Sequence, residues 1–168
     1  MDFYITEKAF SFSDKIEITD QQQNAVYYIK GDVISFGRKL HMFDQSNNEI
    51  CYIHRELFHF MPKYIIEFND DTKYCVDGLF SLFRLRACVK ELNWIIESGK
   101  LAHEFSIYED DNLVAQVSRQ WFTWNSYYHI HIEDGYDNLL VLAVFMAIIG
   151  MLNDSAASAS AGSNATNN

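Results

Sequence analysis

The chain predicts a mainly β fold with one helix: a closed antiparallel barrel of about twelve strands around a hydrophobic helix near the carboxyl end. Three observations lead there. Short period-two segments follow one another between residues 15 and 132, polar turn residues separate them at nearly regular intervals, and a fourteen-residue apolar run, Leu139 to Leu152, comes last. A helix that is apolar on every face needs a container, and hairpins that close on themselves supply one while leaving no free edge.

The elements follow in order. Alternation of apolar and polar residues marks Lys15–Thr19, Ala25–Lys30, Lys39–Phe43, Glu49–Leu57, Lys63–Phe68 and Thr72–Val76 as strands. The pattern continues through Leu92–Glu97, His103–Glu109, Leu113–Arg119 and Tyr127–Ile132, with Arg84–Lys90 a weaker member. Asp20, Asp44, Asp70 with Asp71, and Asp110 with Asp111 end strands, and Asn24, Asn47 and Asn112 stand near them; these short side chains bond their own backbone in tight turns. Asp20, Asp44 and Asp70 recur at intervals of 24 and 26 residues, and Asp110 and Asp134 at 24, a loose hairpin repeat. The blade signatures of a propeller are missing, so the repeat reads as a meander. Leu139–Leu152 reads as a helix capped by Asp137 or Asn138. One domain, residues 1–153, results, with its central helix over about 138–152 and a low-complexity tail at 154–168 expected to be disordered.

Composition bounds the rest. The 168 residues are 49% hydrophobic and 15% aromatic, enough for one large core, so a wholly disordered chain is excluded. The net charge of -10 is the wrong sign for neutralising many phosphates, so nucleic acid is not an expected partner. Cys51, Cys75 and Cys88 are odd in number and far apart, which gives no disulfide framework and fits a reducing, cytoplasmic setting. Met1 to Lys15 contain no uninterrupted apolar core, so no secretory signal is expected there. As a helix, the apolar run spans roughly 21 Å against roughly 30 Å of bilayer hydrocarbon. Glu133, Asp134, Asp137 and Asp154 flank it and no Lys or Arg follows Arg119, so a core helix is expected rather than a membrane span.

The order of the pieces resembles the LURP-one-related family, which shares the tubby-like fold with tubby proteins and phospholipid scramblases. The residues that carry the likeness are Tyr28, Ile29, Gly31, Ser35, Gly37, Lys39, Leu40, Met42 and Asp44, then Ser118 and Arg119 before Trp121, and finally Asp134, Gly135 and the run to Leu152. The likeness covers Phe3 to Asn153. It implies a twelve-stranded barrel around a hydrophobic C-terminal helix. By analogy with tubby proteins it implies lipid or phosphoinositide binding, and by analogy with scramblases, lipid movement. The chain departs from scramblases in lacking a Pro-rich N-terminal region and a cysteine cluster suited to acylation.

Candidate chemistry is sparse. His129, His131 and Glu133 alternate with Ile130 and Ile132, so a strand puts them on one face as a plausible metal set, although neighbours on that face lie about 7 Å apart. The cysteines have no CxxC or Cys-His neighbourhood, Ser35 sits in no Gly-x-Ser-x-Gly elbow, and no glycine-rich loop precedes a helix. Arg84, Arg86 and Lys90 would project to one side of a strand, and Arg38 with Lys39 sits at another turn. These five are the candidate contacts for an anionic headgroup or small ligand, weighed against a solvated face paired with acids. Trp121, Phe122, Trp124, Tyr127 and Tyr128 form an aromatic cluster that packs a rim or lines a pocket mouth. The expected function is a non-catalytic intracellular binding or scaffold module with no cofactor. The alternatives are a metal-dependent enzyme using His129, His131 and Glu133, and a scramblase-like, membrane-attached lipid protein.

Overall fold

The computed structural model describes residues 1–6, 15–31, 39–79, 84–99, 104–121 and 126–163, with side chains described as far as residue 154 except those of Trp121 and Ser126. Twelve strands and one helix make the fold. The strands are β1 (Asp2–Thr6), β2 (Lys15–Thr19), β3 (Ala25–Gly31), β4 (Lys39–Phe43), β5 (Glu49–Glu56), β6 (Lys63–Phe68), β7 (Lys73–Leu79), β8 (Arg86–Val89), β9 (Trp94–Ser98), β10 (Phe105–Glu109), β11 (Asn112–Trp121) and β12 (Ser126–Ile132). The helix, α1, spans Asn138–Ser163, and a 3-10 turn, Lys90–Leu92, links β8 to β9. Each strand pairs antiparallel with its sequence neighbours, and β1 pairs with β12 to close the barrel.

Side-chain alternation sets the inside. Phe3 and Ile5, Ile16 and Ile18, Leu40 and Met42, Cys51 and Ile53, Tyr64 and Ile66, and Ile130 and Ile132 are buried, and the residues between them face outward. Helix α1 fills the space they enclose. Every residue from Leu140 to Met151 is buried, with Phe145 packed against the rings of Phe105 and Tyr128 at 6.0 and 5.5 Å.

The strands alternate in direction, so the turns after β2, β4, β6, β8 and β10 lie at one end of the barrel. The first two turns are built alike. Asp20 accepts the backbone N–H of Gln22 and Asn24, Asp44 accepts that of Asn48, and Gln23 and Asn47 take left-handed backbone conformations. The helix starts at this end, where the Asp137 carboxylate accepts the N–H groups of Leu139 and Leu140. It leaves at the opposite end, where Asp154 accepts the Tyr64 hydroxyl at 2.8 Å and meets Arg55 at 3.3 Å.

Two sequence expectations need correction. β1 was not among the expected strands, yet it is the strand that closes the barrel. The helix also continues past Leu152 to Ser163, through a stretch expected to be part of an unstructured tail. That stretch holds Ala156, Ala157, Ala159 and Ala161, and alanine extends an already nucleated helix at little cost. Residues 164–168 lie outside the described residues.

Gly150 explains itself by position. A Cβ there would lie 2.7 Å from Cζ and Oη of Tyr64, so the helix passes the ring only because this residue has no side chain. The ring in turn has no exposed surface.

Candidate functional site

With its interior taken up by its own helix, the barrel meets other molecules on its outer wall and at its ends. Among the described residues the wall opens at β12, β1 and β2. Strand β1 pairs with β12 through five consecutive partners from Asp2↔His131 to Thr6↔Tyr127, but with β2, among the described residues, only through Tyr4↔Thr19. The seam opens into a groove of about 550 Å³ lined by Tyr4, Thr6, Glu17, Thr19, Asp20, Gln21, Gln23 and Tyr127.

The groove is flanked by polar side chains that hold one another in place. Cross-strand register brings Asp2 opposite His131, and the Asp2 carboxylate accepts hydrogen bonds from His129 Nε2 at 2.7 Å and His131 Nδ1 at 2.8 Å. The amide of Gln21 donates to the other Asp2 oxygen. Burial raises the Asp2 carboxyl, but the bonds from His131, His129 and Gln21 outweigh it and hold the group down to about 2. His129 also stacks on Tyr4 at 5.0 Å, and Tyr4 meets Tyr127 edge to face at 5.8 Å.

His129, His131 and Glu133 do face outward together, and His131 Nε2 lies 3.7 Å from Glu133 Oε1. Both imidazoles are taken up by Asp2, and among the described residues no group of three or more His, Cys, Asp or Glu side chains is arranged to hold a metal ion. Asp2 is the residue the sequence did not bring forward. The signal was the alternation of Phe3 and Ile5 with Asp2, Tyr4 and Thr6.

The four candidate cations that are described do not converge on one pocket. Arg38 lies outside the described residues. Lys39 opens β4 and Arg86 opens β8, at the end where the helix leaves, with Arg84 just before β8. Lys90 lies in the 3-10 turn at the opposite end of β8, because that strand is only four residues long. Arg86 pairs with Glu97 at 2.6 Å and Lys90 with Asp77 at 3.4 Å; Lys39 and Arg84 have no carboxylate partner among the described residues.

The thiols are not poised as nucleophiles. Burial pushes Cys51 up to about 12, and burial together with a hydrogen bond to the Asp77 carboxylate does the same to Cys75. Cys88 is raised as well, by burial first and Asp77 second. Of the aromatic cluster, Tyr128 is core and Tyr127 lines the groove; Phe122 and Trp124 lie outside the described residues.

Comparison with known proteins places this arrangement. A family model described as LURP-one-related matches residues 1–149. The chain belongs to the LURP-one-related family. This LURP-one-related chain is similar to the uncharacterized protein YxjI of Bacillus subtilis (strain 168), with 26% identity over 148 residues that cover 88% of this chain and 91% of that one. Its fold is similar to the X-ray structure of a protein from Arabidopsis thaliana, AT5G01750, with a TM-score of 0.61, 16% identity and 88% of each chain covered. The fold is the tubby-like one: twelve antiparallel strands closed around a single C-terminal helix. Among the described residues no helix is long and apolar enough to cross a membrane.

Proposed function

We propose that this LURP-one-related barrel is a non-catalytic binding module of the cytoplasm that holds a small ligand on its outer wall, in the groove at the β12–β1–β2 seam. The observation that carries this reading is the groove itself, since α1 occupies the interior and the seam is where the wall opens. Its walls are set before any ligand arrives, because Tyr4 is stacked on His129 and His129 is bonded to Asp2.

The lining selects for chemistry. Glu17 and Asp20 supply negative charge, Tyr4 and Tyr127 supply ring faces, and Gln21 and Gln23 supply amide donors and acceptors. That set suits a small amine or quaternary ammonium better than an anionic headgroup. An anionic lipid held in a single pocket by Lys39, Arg84, Arg86 and Lys90 fits the structure less well, because these side chains are divided between two ends of the barrel.

Titration of isotope-labelled protein with spermidine, choline and inorganic phosphate tests the reading by amide chemical shifts. Shifts with either amine at Tyr4, Thr6, Thr19 and Gln21, weakened by Glu17→Gln, are expected. Shifts with phosphate alone, centred on Lys39 and Arg84, would replace the proposed ligand class with an anionic one.

A further inference from the structure

At the end of the barrel where the helix starts, every connection is described: residues 20–24, 44–48, 69–72, 90–93, 110–111 and 133–137. A concavity of about 370 Å³ opens there between β5, the β6–β7 turn and the first turn of α1. It arises from where the helix begins. Phe68 and Tyr74 continue the inward rows of Tyr64 with Ile66 and of Val76, but α1 starts only at Asn138, so these last two rings stay partly exposed. They meet edge to face at 6.0 Å and, with Ile50 and Leu139, make an apolar floor. The walls are held in place. Asn69 donates its side-chain amide to the Glu49 carbonyl, Asp70 accepts the N–H of Thr72 at 2.9 Å, and Asp71 turns the chain in a left-handed conformation with its N–H on the Phe68 carbonyl. On the helix side stands Asp137, whose Oδ1 accepts the N–H groups of Leu139 at 2.8 Å and Leu140 at 3.3 Å. Neither Asp70 nor Asp137 has a basic partner among the described residues.

The charge around the opening selects the occupant. The six connections carry ten acidic side chains and one basic one, Lys90, which is already paired with Asp77 at 3.4 Å. Asp70 stays ionised, because the backbone N–H of Thr72 holds its carboxyl below the usual range. Such a field repels anions and attracts cations. The floor adds a second requirement. Two aromatic rings and two aliphatic side chains suit the stem and flat guanidinium of an arginine, which stacks on rings and meets carboxylates with two hydrogen bonds. The spread of the acids adds a third. Asp44 and Glu91 stand on the turns to either side of the pocket, each about two strand spacings or roughly 10 Å away, the length of three residues of extended chain. A polypeptide with a cation at every third residue meets all three sites at once, whereas a single small amine meets only one.

We propose that this end of the barrel docks a basic, extended segment of a partner protein, with one arginine seated over Phe68, Tyr74 and Leu139 and its guanidinium between Asp70 and Asp137. The neighbouring cations of the segment, three residues away on each side, face Asp44 and Glu91. The pocket shares no lining residue with the groove at the β12–β1–β2 seam, and neither proposal needs the other.

Titration of the isotope-labelled full chain with the end-blocked peptide Arg-Leu-Gly-Arg-Leu-Gly-Arg tests it by amide shifts, and anisotropy of the fluorescent peptide gives the affinity. Shifts centred on Ile50, Asn69, Asp70, Thr72 and Leu139 are expected, with binding that weakens as salt is raised. Asp70→Asn with Asp137→Asn removes two charges while asparagine keeps the turn and the helix cap, and should lower the affinity about fivefold or more. Tyr74→Ser should lower it about fivefold through the loss of a ring face. Asp110→Asn with Asp111→Asn makes the same charge change four strands away, about 19 Å along the wall, and should alter the affinity less than about twofold. Thermal melts show that each variant is folded. Absence of shifts at the pocket overturns the proposal. So does an equal loss in the two asparagine pairs, which leaves a diffuse field without a site, and so does equal binding of the same peptide with glutamate in place of arginine, which leaves apolar adhesion alone. Wild-type self-association in sedimentation velocity that Asp70→Asn with Asp137→Asn abolishes gives the pocket to a second copy of the chain, and the proposal falls.

Discussion

Replacing Gly150 by Ala sets helix propensity against packing, and the two act with opposite sign. In an open helix interior the change stabilises by about 1 kcal/mol, since alanine loses less backbone freedom on folding. Here the new methyl would stand 2.7 Å from Cζ and Oη of Tyr64 and 2.8 Å from Cε1. Carbon atoms rest comfortably at about 3.5–4.0 Å, so either the ring or the helix must move. Tyr64 has little room: it is fully buried, its backbone lies in β6 between β5 and β7, and its hydroxyl donates to Asp154 at 2.8 Å. Overpacking of this kind costs about 1–3 kcal/mol, and with three ring atoms overlapped the upper part of that range applies. Subtracting the propensity gain leaves a net destabilisation of about 1–2 kcal/mol, or a fall in melting temperature of roughly 2–8 °C for a domain of this size. Urea unfolding followed by circular dichroism measures it. In a Tyr64→Leu background the same alanine should be tolerated, which gives a coupling of about 1 kcal/mol or more between the two sites. A Gly150→Ala protein more stable than the wild type, or strict additivity with Tyr64→Leu, would refute the contact and with it the threading of the helix past β6.

Val144 is fully buried in the middle of the helix, so Val144→Asp should cost about 3–5 kcal/mol and leave most of the protein insoluble; a soluble variant with a normal melt would contradict the enclosed helix. The Asp2 carboxyl is held at about 2 in the fold against an ordinary 3.8, so its ionised form stabilises the protein above about pH 4, and that contribution is lost as pH falls towards 2. Asp2→Asn should therefore lower the melting temperature near neutrality and converge with the wild type at the acid end; a gap that is constant across this range would exclude the linkage. With Cys51 and Cys75 raised to about 12, roughly one thiol in 10⁴ is ionised at pH 8, so Ellman's reagent should react slowly until guanidinium unfolds the chain. Asp77→Asn should speed the reaction of Cys75, whose thiol donates to that carboxylate at 3.3 Å; an unchanged rate would remove Asp77 as a cause.

Much of the architecture was legible because it is local. The alternation in Lys15–Thr19 or Lys63–Phe68, the Asp-led turns and the unbroken apolar run each declare themselves within a few residues. Strand β1 did not, since its partner β12 lies more than a hundred residues away and nothing near Asp2 announces His129 and His131. The site was less legible for a related reason. Arg84, Arg86 and Lys90 share a face only if one strand contains all three, but β8 begins at Arg86 and gives way to a 3-10 turn at Lys90. His129, His131 and Glu133 do share a face, and what decides their role is a carboxylate from the other end of the chain. Phe58 and Phe60 are apolar side chains of the kind found in a core, yet in the connection between β5 and β6 they stand exposed.

The closing seam joins the first strand to the last, and the helix that fills the middle is made after both. During synthesis the early hairpins can form as they emerge, but the apolar sides of Ile16, Ile29, Leu40 and Ile53 have no helix to pack against until α1 has been made. Until that helix is made the strands form an open, sticky sheet with two unmatched edges, a state prone to aggregation. Assembly of the native state is bound to be late and all at once, so expression yield should depend more on the rate of translation and on chaperone supply than on the stability of the finished protein.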